Sequence, residues 1–290
     1  MIEQEKMNIQ WYPGHMTKTR RQIEADLKLV DAVCEIVDAR IPISSRNPDI
    51  DGMCGNKPRI IVLNRMDLAD NEATKLWIQY FRSQGITAVA TDCKTKKGIA
   101  NFQPALRSVL KNVIERNAAK GMNKPLKVMV VGIPNVGKST FINQISGRKG
   151  AKAENRPGVT RGKQWVNVDS SLLLLDTPGI LWPKFDDPNV GMMLAYTGAV
   201  KEGVIDLEEL AVRLMELMLK RYPQALRERY KVEAEQGTTG YMLLEEAGRK
   251  RGYLLAKGEI HTERMAKVLL DEYRSGKLGY FTLEYPEDLV

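Results

Sequence analysis

The hydrophobic positions divide the chain into two parts with different periodicities. In the first part, short apolar runs separated by polar segments predict buried strands. Residues 15–33 place Ile23, Leu27 and Val30 at helical spacing and predict an amphipathic helix. Buried strands alternating with helices are typical of an α/β domain with a parallel sheet. The predicted strands lie within residues 32–40, 59–64, 85–98, 128–131 and 172–176.

From about residue 206 the pattern becomes helical throughout. Leucines recur at intervals of three and four residues, and Pro223 is expected to end this first helix. Later helices are expected to end at Gly248, Gly252 and Gly276. We therefore predict an α/β domain over residues 1–205 and a small all-α domain over residues 206–290. The leucines of the first helix are Leu207, Leu210, Leu214 and Leu217.

The composition excludes several classes of protein. The 290 residues are 43% hydrophobic and 28% charged, which is ordinary for a globular protein. No signal-peptide pattern is visible, and the leucine run at residues 172–175 is too short to span a bilayer. Cys34, Cys54 and Cys93 lack the spacing of metal ligands. We expect a cytoplasmic protein without zinc and without a membrane partner.

The net charge of +8 is concentrated in the first part of the chain. Residues 1–205 contain 30 Lys and Arg against 20 Asp and Glu, whereas residues 206–290 contain 14 against 16. This surplus favours a polyanionic partner such as nucleic acid, and a merely solvated surface is the open alternative. The cations group as Lys18, Arg20, Arg21 and Lys28; as Lys94, Lys96 and Lys97; and as Arg148, Lys149, Lys152, Arg156, Arg161 and Lys163.

The most specific motif is GxxxxGKS, which spans Gly132 to Ser139 between a predicted strand and a predicted helix. A glycine-rich loop in this context cradles phosphates with its backbone N–H groups. Lys138 is expected near the β- and γ-phosphates, and the Ser139 hydroxyl is expected to ligate Mg²⁺. The nucleotide-binding residues predicted in this P-loop are Asn135, Val136, Gly137, Lys138, Ser139 and Thr140.

Two segments after the P-loop fit a nucleotide-dependent switch. Thr160 lies in a polar loop suited to closing over the γ-phosphate and Mg²⁺. Residues 176–179 read Asp-Thr-Pro-Gly and follow the leucine run. Asp176 is therefore expected at the Mg²⁺ shell, and the Gly179 N–H is expected at the γ-phosphate.

A base-selecting motif precedes the P-loop. Asn64, Arg65, Met66 and Asp67 match N-K-x-D with Arg in place of Lys. The Asp67 carboxylate would accept hydrogen bonds from the N1–H and 2-amino groups of guanine, which adenine cannot offer. The predicted substrate is therefore GTP. A looser base-supporting motif is expected at Asp92 and Cys93.

The order of these motifs is a circular permutation of the Ras-like order. Permutation is tolerated because nucleotide contacts lie on loops at one edge of a parallel sheet. The permuted order, W-Y-P-G-H-M at residues 11–16, V-D-A-R-I-P at 37–42 and D-T-P-G-I-L-W-P-K-F at 176–185 resemble the bacterial ribosome biogenesis GTPase A family, also called RbgA or YlqF. The expected fold is a circularly permuted Ras-like P-loop GTPase domain followed by a small all-α domain.

The resemblance implies a GTP hydrolase that assists late maturation of the large (50S) ribosomal subunit and is stimulated by it. The implied partners are the subunit precursor and its rRNA, which would be contacted through its phosphates. We expect no DNA partner and a monomeric protein. Asn135 matches the asparagine that coordinates K⁺ in K⁺-activated GTPases, so K⁺ is a candidate second cation.

One position conflicts with Ras-like chemistry. Ile180 stands where Ras-like GTPases have the Gln that orients the attacking water. His15 begins a helix that should start at the nucleotide edge, and an imidazole can orient a water near neutral pH. The resemblance implies the same catalytic role for His15, since the matching histidine is the proposed catalytic residue of the family. A capping or RNA-contacting histidine is the alternative.

Three other interpretations remain open. A GTP-dependent RNA-binding module with negligible hydrolysis is favoured by Ile180 and opposed by His15. A P-loop small-molecule kinase is opposed by Asn64 and Asp67. A permuted GTPase of the small-subunit type would carry a zinc-binding tail, and this tail has no Cys/His cluster.

Overall fold

A computed structural model describes residues 16–147, 164–179, 181–182, 187–200 and 206–289, with residues 16–20 as backbone. The described residues form two compact units. One contains the residues up to 182 together with residues 284–289, and the other contains residues 187–200 and 206–283. Residues 187–200 therefore group with the helical unit and residues 284–289 with the sheet unit, unlike in the predicted division at residue 205. Residue 205 itself falls outside the described residues, and the domain boundary there stays a prediction.

The first unit is built on one six-stranded sheet. The strand order is β3-β2-β1-β4-β6-β5, and within the described residues only β5 runs antiparallel to its neighbour. The strands are β1 Ala32–Asp38, β2 Arg59–Asn64, β3 Thr87–Thr91, β4 Leu126–Val131, β5 Gln164–Asp169 and β6 Leu172–Asp176. The helices are α1 Met16–Leu27, α2 Asp49–Cys54, α3 Asn71–Ser83, α4 Phe102–Val109, α5 Lys111–Ala119 and α6 Lys138–Ser146. In the part of this unit that the structure describes, 3₁₀ helices span Ile99–Asn101 and Pro286–Leu289.

The apolar runs form the interior of this sheet, as predicted. Every residue of β1 is buried, and β2 and β4 are buried along nearly their whole length. Strands covered on both faces read as continuous hydrophobic runs because neither face meets water. In β1 the register pairs Ala32 with Val128 on one side and Asp38 with Asn64 on the other. The carboxyl ends of β1, β2 and β4 therefore meet at one edge of the sheet.

The N-terminal helix packs on this sheet through the residues that its periodicity indicated. Ile23, Leu27 and Val30 are buried in one cluster with Val33 of β1 and Met129 of β4. The helix ends at Leu27, earlier than predicted. The helix is followed by a turn, in which the Leu29 N–H donates to the Asp26 carbonyl oxygen at 2.9 Å. This turn directs the chain into β1.

The strand order confirms the predicted fold class. β1 comes first in the chain but lies between the P-loop strand β4 and the guanine-motif strand β2. The parallel core therefore keeps a Ras-like arrangement although the chain enters it at a different strand. Among the described helices, none is long and apolar enough to cross a membrane.

The second unit is helical. Its helices are α7 Pro188–Tyr196, α8 Leu207–Arg221, α9 Pro223–Tyr230, α10 Gly240–Lys250 and α11 Thr262–Ser275. Leu210 and Leu214 of α8 are buried as predicted, whereas Leu207 and Leu217 are partly exposed. The buried stripe of α8 instead includes Met215 and Met218. The buried face of α8 is wide enough to include residues adjacent to the predicted positions, which explains why Met215 and Met218 are buried.

The predicted helix ends are correct at three positions and wrong at a fourth. Gly252, in a left-handed conformation, directly follows the C-cap residue of α10. α8 ends before Pro223, which begins α9, and α11 ends at Gly276 in a left-handed conformation. Gly248, however, lies inside α10 and is buried. A Cβ there would lie 2.8 Å from Cγ2 of Ile260 and 3.6 Å from Cβ of Met265. Gly248 therefore serves close packing, which short-range sequence patterns do not reveal.

The last described residues close against the loop that follows β1. The Glu284 carboxylate accepts backbone N–H groups of Ile43 at 2.8 Å and Ser44 at 3.1 Å. The Glu284 carbonyl accepts the Trp77 indole N–H at 2.9 Å. Burial of the carboxylate, together with the nearby charge of Asp288, raises the pKa of Glu284 to about 6, although the hydrogen bonds from Ile43 and Ser44 favour its charged form.

This carboxylate makes the stability of the first unit pH-dependent. Since the folded-state pKa is about 6 against an ordinary 4.5, the folded state binds the proton more tightly, and stability falls as pH rises through this window. The ionised form costs roughly 2 kcal/mol relative to the protonated one. Glu284→Gln keeps a carbonyl acceptor and removes the titration. We expect the difference in unfolding free energy between Glu284→Gln and wild type, measured in urea, to shift by that amount in favour of the variant from about pH 4 to about pH 7.

The matched control is Glu287→Gln, on an exposed residue of the same segment. We expect its unfolding free energy to run parallel to that of wild type across the same range. A constant difference between Glu284→Gln and wild type would contradict the assignment.

Candidate nucleotide-binding site

The glycine-rich loop after β4 is closely surrounded by backbone and side chains. Gly132 has φ 153°, and a Cβ there would lie 2.5 Å from the Ile36 carbonyl oxygen. Gly137 has φ 96°, and a Cβ there would lie 2.4 Å from Nδ2 of Asn64. Both positions therefore require glycine. The loop ends where α6 begins, so the first N–H groups of that helix face the loop, as in phosphate-binding sites.

Lys138 lies inside this loop. Its Nζ donates to the carbonyl oxygens of Gly132 at 3.0 Å and Ile133 at 2.8 Å. Burial lowers the pKa of Lys138 to about 8, and the negative charge of Asp176 opposes that shift. A buried ammonium group close to the N–H groups of a helix N-terminus is suited to bind phosphate oxygens. Their negative charge would compensate the positive charge of the lysine.

Asn64 joins three segments of the site. Its Nδ2 donates to the Val136 carbonyl of the P-loop at 2.8 Å. Its Oδ1 accepts the Thr91 hydroxyl at 3.2 Å and lies 3.1 Å from the Cys93 sulfur. The parallel register of β2 and β3, which places Asn64 beside Thr91, makes these contacts local. The guanine motif, the base-support segment and the P-loop are therefore held together by one buried amide.

Arg65 makes a second connection to the P-loop. Its Nη2 donates to the Asn135 carbonyl at 2.5 Å. Arg65 has φ 62° and Asn135 has φ 61°, so both residues adopt the left-handed conformation. For Asn this conformation is common, whereas for Arg it is strained and must be held by its contacts.

The two acidic residues of the base site lie close enough to influence each other. Asp67 is half-buried, and burial together with the charge of Asp92 raises its pKa. Asp92 accepts the Lys94 N–H at 2.7 Å and the Thr95 hydroxyl, and thus closes its own loop. For Asp92, the pKa is lowered because these hydrogen bonds outweigh its burial. Donors from a guanine base would stabilise the charge on Asp67.

Asp176 and Ser139 form the part of the site that fits a magnesium ion. The Ser139 Oγ lies 3.5 Å from Asp176 Oδ2, and Asp176 Oδ1 is buried without a hydrogen-bond partner among the described residues. Burial raises the pKa of Asp176, and Lys138 opposes that shift. Oxygen ligands from one carboxylate and one hydroxyl suit Mg²⁺. A bound Mg²⁺ would neutralise charge on the phosphate oxygens.

The segment after Asp176 lies against the P-loop. The Thr177 hydroxyl donates to the Val130 carbonyl at 2.7 Å. A Cβ on Gly179 would lie 2.9 Å from the Pro134 Cα and 3.0 Å from Nζ of Lys138. Gly179 is therefore the residue that lets this segment approach the phosphate site.

The structure brings most of the predicted site residues to one edge of the sheet. His15, Thr160 and Ile180 lie outside the described residues, so their predicted roles stay predictions. The residues placed at the edge are Asn64, Arg65, Met66, Asp67, Asp92, Cys93, Asn135, Val136, Gly137, Lys138, Ser139, Thr140, Asp176 and Gly179.

Sequence patterns gave no role to three residues that shape this edge. Thr91 hydrogen-bonds Asn64, and the buried pair Asp38 and Arg40 lies next to Arg65. For Thr91, the only signal in the sequence was a weak one, a hydroxyl residue at the end of a predicted strand. The charged residues that directly follow the apolar run of β1 were a clearer signal for the pair.

Comparisons with known proteins find similar GTPases. The family model described as "50S ribosome-binding GTPase" matches residues 127–242. Ribosome biogenesis GTPase A from Priestia megaterium is 45% identical over 284 residues, covering 97% of this chain and 98% of that protein. GDP-bound TM YlqF has a TM-score of 0.69 at 28% identity, covering 92% and 100% of the two chains. GNP-bound YlqF from T. maritima has a TM-score of 0.64 at 28% identity, covering 93% and 99%.

The contact between Gly137 and Asn64 can be tested with one methyl group. In Gly137→Ala the new Cβ would displace the Asn64 amide, so we expect nucleotide affinity to fall at least about tenfold, or about 1.4 kcal/mol. The measurement is titration with a fluorescent GDP analogue. Gly121→Ala is the matched control, because Gly121 also has a positive φ of 65° but has open space around it.

We expect Gly121→Ala to lower stability by about 1 kcal/mol through backbone strain and to leave affinity unchanged. Equal affinity losses in both variants would assign the effect to backbone strain rather than to Asn64.

Proposed function

The chain belongs to the ribosome biogenesis GTPase A family, and from this premise we propose that it hydrolyses GTP to assist late maturation of the large ribosomal subunit. The predicted family resemblance is confirmed, and membership makes the protein a GTPase with a role in ribosome biogenesis. The description of the matched family model, a 50S ribosome-binding GTPase, supports the large subunit as the partner.

The observation that carries the GTP-binding part is the double connection between guanine motif and P-loop. Asn64 and Arg65 each donate to a P-loop carbonyl, at 2.8 and 2.5 Å. Because Asp67 follows Asn64 and Arg65 in the chain, these bonds support a base-selecting role for its carboxylate at the same sheet edge as Lys138. A nucleotide bound there would meet a guanine-specific acceptor at one end and a phosphate cradle at the other.

Hydrolysis needs a group that orients the attacking water. We assign this role to His15, because Ile180 replaces the usual Gln and cannot hydrogen-bond. Ser139, Thr160 and Asp176 would hold or surround Mg²⁺. The Asn135 side chain would contribute to a K⁺ site, where a monovalent cation offsets charge on the phosphates.

Exposed cations near the guanine motif support an RNA partner. Lys94, Lys96 and Lys97 are exposed on the loop that follows β3, directly after the base-support residues. Arg21 and Lys28 are exposed on and just after α1. Lys and Arg side chains bind phosphate groups without reading sequence, so we propose that they contact rRNA in the subunit precursor. The protein would act as a monomer in the cytoplasm.

The base-selecting role of Asp67 is testable by exchanging donor and acceptor. Xanthine carries a carbonyl at C2 where guanine carries an amino group, so an amide at this position favours xanthine. In Asp67→Asn we expect GTP affinity to fall about 100-fold or more and XTP affinity to rise. The measurement is competition against a fluorescent nucleotide.

Glu72→Gln, on the exposed start of α3, is the control for charge loss near the motif. It should bind GTP as wild type does. Loss of GTP binding in Asp67→Asn without any gain for XTP would argue against direct base contact.

The catalytic role of His15 is tested by GTP turnover with and without purified large subunits, in K⁺ and in Na⁺ buffer. We expect subunits to stimulate the wild type strongly. In His15→Ala that stimulation should be lost by at least about tenfold, because the attacking water is no longer oriented. GTP binding and subunit binding should be retained.

The control is His261→Asn, which removes the other histidine but keeps an N-cap acceptor for α11. Stimulation of His15→Ala equal to wild type would show that another group holds the water. Absence of stimulation in the wild type would favour the alternative, a GTP-dependent RNA-binding module.

A further inference from the structure

A buried ion pair lies at the carboxyl end of β1, beside the guanine motif. Arg40 is completely buried and Asp38 is 2% exposed. The Arg40 guanidinium donates through Nε to Asp38 Oδ1 at 2.9 Å and through Nη2 to Oδ2 at 2.8 Å. Burial alone would raise the pKa of Asp38, but the charges of Arg40 and Arg65 and the hydrogen bonds from Arg40 lower it overall.

The backbone around Asp38 is also fixed. The Asp38 N–H donates to the Ser45 hydroxyl oxygen at 2.9 Å, and the Arg40 N–H donates to Asp38 Oδ1 at 3.0 Å. The N–H of Ala39 donates to the Asn64 carbonyl at 2.8 Å. The carboxylate is therefore held in one orientation relative to the guanine motif.

The same carboxylate faces Arg65. Nη1 of Arg65 lies 3.8 Å from Asp38 Oδ2, while Nη2 of the same guanidinium donates to the Asn135 carbonyl. The planar fork of Arg lets one side chain address a carboxylate and a carbonyl at once. Arg65 thus bridges the end of β1 and the P-loop, in a backbone conformation that is strained for Arg.

A buried ion pair is not needed for stability alone, since well-packed apolar side chains of similar size often serve as well. We propose that the Asp38–Arg40 pair is the anchor that positions Arg65 against the P-loop, which makes Asp38 and Arg40 positioning residues of the nucleotide site. This inference rests on the proposed function, because it assigns a nucleotide to that site. Arg40 fixes the Asp38 carboxylate, the carboxylate holds Arg65, and Arg65 holds the Asn135 carbonyl.

The test is a mutant cycle between the pair and Arg65. Asp38→Asn alone would leave the buried Arg40 charge uncompensated, so the pair is removed together as Asp38→Asn with Arg40→Met. We expect about a tenfold loss of affinity for a fluorescent GDP analogue, with the thermal unfolding midpoint nearly unchanged. Arg65→Met should lose about as much or more. Combining all three substitutions should bind no more weakly than Arg65→Met.

The cycle separates positioning from a general structural role. If the losses of the pair variant and Arg65→Met add in the combined protein, or if the pair variant binds as wild type does, the proposal is overturned. Should the pair variant fail to fold, Arg40→Lys replaces it in the same cycle. It keeps the compensating charge but cannot hold both carboxylate oxygens in a planar fork. The same non-additive result is expected, and additivity overturns the proposal there too.

Two further arms complete the experiment. Arg59→Met removes the ion pair with Asp51 at the opposite end of β2, and it should leave GDP affinity unchanged. Asp67→Asn in the same assay reports on the proposed function itself. If Asp67→Asn shifts preference to xanthine nucleotides while the cycle is additive, only the positioning role fails. If that shift is absent, the assignment of a guanine site fails.

Discussion

The hydrogen bond from the Asn64 amide to the Val136 carbonyl is the contact on which the nucleotide edge depends. It is buried, and it approaches Gly137 so closely that no side chain fits there. Because the same amide also accepts the Thr91 hydroxyl, strands β2 and β3 are fixed relative to the P-loop by one side chain. Losing either partner would leave a buried polar group unsatisfied, which costs about 1–3 kcal/mol.

This constraint explains why a permuted chain can build a Ras-like site. The residues that meet at Asn64 come from the ends of neighbouring parallel strands, and their proximity follows from strand order rather than chain order. A chain that enters the sheet at β1 still places β1 between β2 and β4. The loops at the carboxyl edge are consequently the same set, joined in a different sequence.

Buried charge is the second theme of this edge. Burial lowers the pKa of Lys138 and raises the pKa of Asp176, and the charge of each residue opposes the shift of the other. The charges of two arginines keep the pKa of Asp38 low. Charges of this kind are costly unless each meets a partner. A phosphate chain with Mg²⁺ would supply partners for Lys138 and Asp176, whereas Asp38 and Arg40 are paired with each other within the protein. The two pairs therefore suit ligand binding and positioning, respectively.

The amino-acid sequence alone determined five of the six described strands, the N-terminal helix, the P-loop, the guanine motif and the fold class, because each depends on local periodicity or on short spacing. It also indicated the family. It did not predict β5, a mostly exposed strand at the edge of the sheet whose polar residues form no apolar run. The tertiary structure decided what lies side by side: Thr91 against Asn64, Asp38 and Arg40 beside Arg65, and Glu284 against the loop after β1. Gly248 was wrongly predicted as a helix end, because the close contact with Ile260 that requires glycine there is equally non-local. Such contacts join residues distant in the chain, and only the packing of the folded sheet and helices specifies them.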